Sequence, residues 1–141
     1  MLRRLPLPDK PTIPDLSTTD DLLDRRSRER AIRSMQCLPF SVHLFRDLQQ
    51  QGLDATALWG DRLRYGRGDR WYRHPENLER DLLWLIAVGV LRREVDGQGL
   101  TSRFRLTPLG RDLLDQDRAL LDHSATLGDQ IRFHIRRLIS H

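Results

Sequence analysis

The chain has 141 residues, 38% of them hydrophobic and 31% charged, and a formal net charge of +4. That length suits one domain with an extension and leaves little room for a second independent core, while the composition excludes fibrous and membrane classes. The longest apolar run, residues 82–91, is ten residues long, about half of the roughly 20 that a bilayer crossing needs.

Arg3 and Arg4 are followed by prolines at positions 6, 8, 11 and 14 rather than by an apolar stretch and a small-residue cleavage site, so export is not expected. Cys37 is the single cysteine, which excludes an internal disulfide and a four-cysteine metal site and fits a reducing cytoplasm. Of 24 basic residues 23 are arginine, and 16 of 20 acids are aspartate. The charge lies in blocks. Residues 25–33 carry five arginines against Glu29, and residues 62–73 carry Arg62, Arg64, Arg67, Arg70 and Arg73 against Asp69; Asp15, Asp20, Asp21 and Asp24 form an acidic block ahead of both. The planar arginine fork clamps phosphates and carboxylates through paired hydrogen bonds, and it serves equally well in internal ion pairs.

In chain order, the proline-rich residues 1–20 read as an extended, disordered tail, and residues 21–141 as the folded domain. Helical periodicity starts near Thr19, with Ser17 or Thr19 as cap and Ser27 as a second start, and Ala31, Ile32, Met35 and Leu38 form an apolar stripe that ends at Pro39. Ser41 is placed to cap a second helix with Leu44, Phe45 and Leu48 on its buried face, stopped by Gly52. Asp54 caps a short third segment containing Ala57 and Leu58. Residues 62–74 lack periodicity and contain Gly66 and Gly68, which predicts an exposed loop. Pro75 opens a strong helix to about Val88, closed by Gly89. Residues 90–95, the turn Asp96-Gly97-Gln98-Gly99 and the alternation around Phe104 and Leu106 predict a hairpin. Thr107 and Pro108 open a final helix over 108–139, on the order of 45 Å long if continuous, with an apolar seam from Leu113 to Leu138 that Gly128 interrupts.

The expected fold is therefore mainly α with a small β-hairpin. The run from Leu82 through Gly89 to Glu94, followed by Arg103-Phe104-Arg105-Leu106-Thr107-Pro108-Leu109-Gly110, resembles the third helix, wing and closing "L-T-x-x-G" turn of MarR-like and PadR-like regulators. It covers about residues 40–115, and the arrangement is also similar to that of a small cyanobacterial family. The resemblance implies a winged helix-turn-helix with a long C-terminal helix used for dimerisation. It also implies a helix that enters the major groove and a wing that reaches adjacent phosphates.

On that reading phosphate contacts fall to Arg62, Arg64, Arg67, Arg70 and Arg73 and to the wing pair Arg103 and Arg105, and base contacts to Asn77 and Arg80. The outward candidates on the helix from Pro75 are Glu76, Asn77, Glu79, Arg80, Asp81 and Trp84; the three acids would face duplex phosphates, an unfavourable pairing. Tyr65, Trp71 and Tyr72, interleaved with the arginines, suit stacking on unpaired bases or anchoring of the loop by burial. Trp84 with Leu82, Leu83, Ala87 and Val88 makes the end of this helix apolar nearly all round, so it must be covered on both sides, within the chain or by a partner.

No catalytic, cofactor or metal residues are nominated. Cys37 sits on an apolar stripe, the histidines His43, His74, His123, His134 and His141 have no zinc-site spacing, and no nucleophile elbow, phosphate loop or dinucleotide fingerprint occurs. The leading expectation is a cytoplasmic, homodimeric DNA-binding regulator. The alternative is a non-enzymatic protein-interaction adaptor that docks a partner through the acidic helix and Trp84.

Overall fold

The computed structural model describes residues 16–116 together with residues 131, 133–135, 137 and 138. Its elements are α1 (Leu16–Cys37), α2 (Val42–Gln50), α3 (Ala55–Gly60), α4 (Arg62–Tyr65), α5 (Pro75–Ala87), the strands β1 (Leu91–Asp96) and β2 (Gly99–Leu106), and α6 (Pro108–Gln116). The chain is mainly helical, with one small two-stranded antiparallel sheet.

α1 begins at Leu16 and runs without a break through Ser27, so residues 16–20 are helical rather than part of an extended tail. Residues 1–15 lie outside the described residues. Ala31, Met35 and Leu38 are buried as their spacing predicts, and so is Ser34 between them. Arg28, from the first arginine block, bridges to Asp112 at 2.5 Å and donates to Gln116 Oε1 at 2.7 Å, which ties α1 to α6.

Ser41 stands before α2 in extended conformation but forms no side-chain cap. Its hydroxyl donates instead to the Arg64 carbonyl at 2.8 Å, and its amide donates to the Tyr65 carbonyl at 2.8 Å. Asp54 caps α3 as expected, accepting from the Ala57 amide at 2.8 Å. Between these helices Leu53 and Phe104 exchange both backbone hydrogen bonds, at 3.2 and 2.8 Å, which adds a single extended residue beside β2.

α5 ends by a recognisable mechanism. Gly89 takes φ +86°, the left-handed region that favours glycine. Its amide donates to the Ile86 carbonyl and the Val90 amide to the Leu85 carbonyl, which satisfies two carbonyls of the last turn. The hairpin pairs Leu91 with Leu106 and Arg93 with Phe104, with an irregularity between Arg93 and Val95. Phe104 and Leu106 are buried beneath it, as the alternation predicts.

Thr107 then joins three elements. Its amide donates to the Val90 carbonyl at 2.9 Å and its hydroxyl accepts from the Gly110 amide at 3.0 Å. A side chain at position 110 would begin 2.6 Å from the Val90 carbonyl oxygen, so only glycine fits there. The core formed by these packings contains Met35, Phe40, Leu44, Phe45, Leu58, Leu78, Leu82 and Leu85, all fully buried.

The expected helix over 108–139 is described only to Gln116 and, as helical residues, within 131–138; its continuity lies outside the described residues. Among the described residues no helix is long and apolar enough to cross a membrane.

Candidate nucleic-acid interface

The arginine segment is the expected exposed loop only in part: residues 66–74 belong to no helix or strand, and Arg70 and Arg73 are exposed. α4 occupies its first four residues, and Tyr65 is only 5% exposed. Pro39 follows the end of α1, and the last turn of α1 contains no basic residue of its own, so its carbonyls need donors from elsewhere. Arg67 and Arg70 supply them. Arg67 Nη1 donates to the Gln36 carbonyl at 2.6 Å and Nη2 to the Met35 carbonyl at 3.4 Å, while Arg70 Nη2 reaches the Cys37 carbonyl at 3.4 Å. Cations at a helix C-terminus also complement its dipole.

Arg64 forms a two-pronged pair with Asp47 at 2.8 and 3.0 Å, and the Tyr65 hydroxyl donates to the same carboxylate at 2.8 Å. The hydrogen bond from Arg64 holds the Asp47 carboxyl below its ordinary range, against the opposing effect of burial. Burial first, and then the hydrogen bond to Asp47, pushes the Tyr65 hydroxyl up to about 12. Arg62 is exposed and donates at 3.4 Å to the Trp59 carbonyl, at the end of α3.

The aromatic residues of the segment anchor it. Trp71 lies 6.2 Å from Phe40, 6.3 Å from Trp59 and 5.4 Å from Tyr72, ring centre to ring centre. Trp71 and Tyr72 are half-buried. Both also form part of a cleft of about 470 Å³ bounded by the end of α1, residues 69–74, the first half of α5 and His134. Arg70, Arg73, Asn77 and Arg80 all line this cleft. Four of the nine residues nominated from the sequence thus line one cleft; they lie within residues 70–80, and the end of α1 and His134 complete its walls.

Two acids share the lining, Asp69 and Asp81. Asp81 is 5% exposed, contrary to its expected outward position. The Tyr72 hydroxyl donates to its Oδ2 at 2.7 Å, Arg137 pairs with Oδ1, and Arg80 Nε stands 3.8 Å from Oδ1. Burial first, and then the Asp81 charge, raises the Tyr72 hydroxyl well above the usual tyrosine range.

Trp84 is also enclosed, with 9% of its surface exposed. Its Nε1 donates to the Ser34 hydroxyl at 3.0 Å, its ring meets Phe133 edge-on at 6.2 Å, and the Arg137 guanidinium carbon is 5.4 Å from the ring centre. The chain itself covers the Trp84 side of α5, so Trp84 is not an exposed docking residue, while Leu83 and Ala87 on the same turns stay exposed.

The two hairpin cations nominated from the sequence, Arg103 and Arg105, are paired internally. Arg103 Nε meets Glu94 Oε2 at 2.6 Å, and Arg105 reaches Glu94 Oε1 at 3.5 Å and the Gln49 carbonyl at 3.3 Å. The Arg103 hydrogen bond holds the Glu94 carboxyl below its ordinary range. Outward on α5 lie Glu76, Glu79, Leu83 and Ala87, with Arg80 beside them. Sequence reasoning passed over Arg93, which is exposed and lines a small cleft with Glu79 and Ser102, and His134, which joins the basic groove from far along the chain. The charge pattern signals Arg93; nothing local signals His134.

Among the described residues no group of three or more His, Cys, Asp or Glu is arranged to hold a metal ion. Comparison with curated proteins and with solved structures gives no match. A model of the Npun_F0494-like family matches residues 22–137, which include every element from α2 to α6 and the whole basic groove. The chain belongs to the Npun_F0494-like family.

Proposed function

We propose that this protein is a non-enzymatic, DNA-binding protein of winged-helix type, and that Arg70, Arg73 and Arg80 hold phosphates while Asn77 hydrogen-bonds to a base. The observation that carries this reading is the convergence of these four side chains on one groove. The order α3, α5, hairpin supports the winged-helix assignment, as does the Leu53–Phe104 bridge that adds a third extended piece to the hairpin. Arg62, Arg64 and Arg67 serve this reading as structural residues, and Arg103 and Arg105 as secondary contacts that must share their charge with Glu94. Leu22 and Leu23 on α1, with Ile131, Ile135 and Leu138 at helical spacing, are exposed apolar residues that fit a homodimer.

The test is fluorescence anisotropy with labelled DNA over a salt series. The reading expects affinity to fall steeply as salt rises, because each phosphate contact contributes about 0.7–0.9 to the slope of log K against log salt. Absence of binding at low salt would refute it.

A second reading, a protein-interaction adaptor, is favoured by one observation: the outward side of α5 combines Glu76 and Glu79 with Leu83, which is 45% exposed. A partner that contacts this side would be lost on Leu83→Asp with the fold intact.

A further inference from the structure

The cations and the shape of the groove specify which form of nucleic acid it suits, an inference that rests on the nucleic-acid reading above. Duplex DNA presents phosphates on a convex surface with about one charge per 1.7 Å of axis, so a duplex reader needs its cations on surfaces that protrude. In this chain the protruding side of α5 carries Glu76 and Glu79 followed by Leu83, with Arg80 beside them as its one cation. On the hairpin, the second surface a duplex would meet, Arg103 and Arg105 share the single carboxylate of Glu94, and Arg92 and Arg93 are exposed.

The cations of the groove are exposed but stand around a concavity instead. Arg70, Arg73 and Arg80 line a cleft in which Asp81 is already neutralised by Arg137, leaving Asp69 as the opposing acid. An open cleft of about 470 Å³ is of a size that receives one small-molecule unit. A flexible single strand can place one nucleotide there, whereas a base pair held inside a duplex cannot enter.

The wall also contains an aromatic platform. Trp71 lines the cleft, and its ring is held by Phe40, Trp59 and Tyr72. A ring fixed in this way loses little conformational entropy when a base stacks on it. Stacking is tolerant of base identity because every base has a π-face, and combined with a cationic track it is the usual means of holding unpaired strands.

We propose that the groove binds an unpaired polynucleotide strand, with backbone phosphates on Arg70, Arg73 and Arg80 and a base stacked on Trp71.

The experiment uses the full chain and three labelled probes of equal length: an oligo-dT, an oligo-U and a fully paired DNA duplex. The expected result is that at least one single strand binds ten-fold or more tighter than the duplex and quenches tryptophan fluorescence. Equal binding of the two strands indicates readout of base and phosphate alone, and a difference between them indicates that the sugar is sensed; both support the proposal. Trp71→Leu should weaken single-strand binding about ten-fold, in line with the measured range for base–aromatic stacking, and leave duplex binding unchanged. Trp71→Phe should retain most of it. Arg73→Ala, at an exposed position that leaves the aromatic cluster intact, gives a second variant should Trp71→Leu fail to fold. Duplex binding as tight as single-strand binding would overturn this inference and leave the DNA-binding reading standing. Failure of all three probes to bind at low salt would overturn both.

Discussion

Tyr72 and Asp81 join the two walls of the basic groove: the tyrosine hydroxyl of the arginine segment donates at 2.7 Å to a carboxylate on α5. Arg137 occupies the other oxygen of that carboxylate and lies against Trp84. This arrangement keeps a negative charge inside the groove from opposing an anionic ligand, and it fixes the described C-terminal residues to α5.

Removing Arg137 should therefore cost more than a surface charge does. Both partners are nearly buried, with 7% and 9% of their side chains exposed, and leaving one buried charge alone costs about 3–5 kcal/mol. Arg137→Ala should lower stability by that order in urea denaturation, and the double variant Asp81→Asn/Arg137→Ala should recover most of the loss. An unchanged midpoint for Arg137→Ala would contradict the pairing.

Arg67 is expected to act on folding rather than on any ligand. Its guanidinium serves two carbonyls in the last turn of α1, an interaction of about 1 kcal/mol with the helix terminus. Arg67→Ala should lower the melting temperature by a few degrees and Arg67→Lys by less, because the lysine keeps the charge but not the fork. A larger effect on DNA affinity than on melting would show that Arg67 faces the ligand.

The pH dependence of stability follows from the shifted groups. Asp47 and Glu94 are held below their ordinary values of 3.8 and 4.5 by Arg64 and Arg103. Their contribution is complete above those values and is lost as pH falls through the lower values of the folded state. Tyr65 is shifted the opposite way, from 10.0 to about 12. Its contribution is complete below pH 10 and is lost as pH rises through about 12. Stability profiles should thus fall at both ends, with Asp47→Asn flattening the acid limb and Tyr65→Phe the alkaline one. A profile identical to that of the unmodified chain in either variant would count against the corresponding contact.

The closing turn offers a separate check on the fold. Thr107→Ala removes the acceptor for the Gly110 amide and should cost about 1 kcal/mol, as loss of a helix cap does. No change in the denaturation midpoint would show that the cap contributes nothing.

Much of this architecture is legible in the sequence because its causes are local. Pro75 and Gly89 mark the ends of α5, Asp54 starts α3, and the alternation around Phe104 and Leu106 marks the strand that covers the core. The arginine segment was not legible in the same way. Its composition resembles a solvated loop, whereas Arg64, Arg67 and Arg70 are each used by groups 17 to 33 residues away in sequence. Ser41 shows the same limit, since its hydroxyl answers a tertiary carbonyl rather than its own helix. Asp81 and Trp84 lie on a helix whose periodicity leaves them outward, and the side is covered by Ser34, Tyr72, Phe133 and Arg137, all outside that helix. Of the nominated site, the four residues that line the groove lie within residues 70–80 and were legible together; the walls that close it, the end of α1 and His134, come from distant segments.

The most direct measurement compares two double variants in the salt dependence of DNA binding. Arg73→Ala/Arg80→Ala removes two cations of the groove, and Arg103→Ala/Arg105→Ala removes the hairpin pair. The account predicts that the first lowers the slope of log K against log salt by about 1.4–1.8, as loss of two phosphate contacts does, and that the second changes it by less than half as much. A slope unchanged in the groove variant, or reduced more in the hairpin variant, would contradict it.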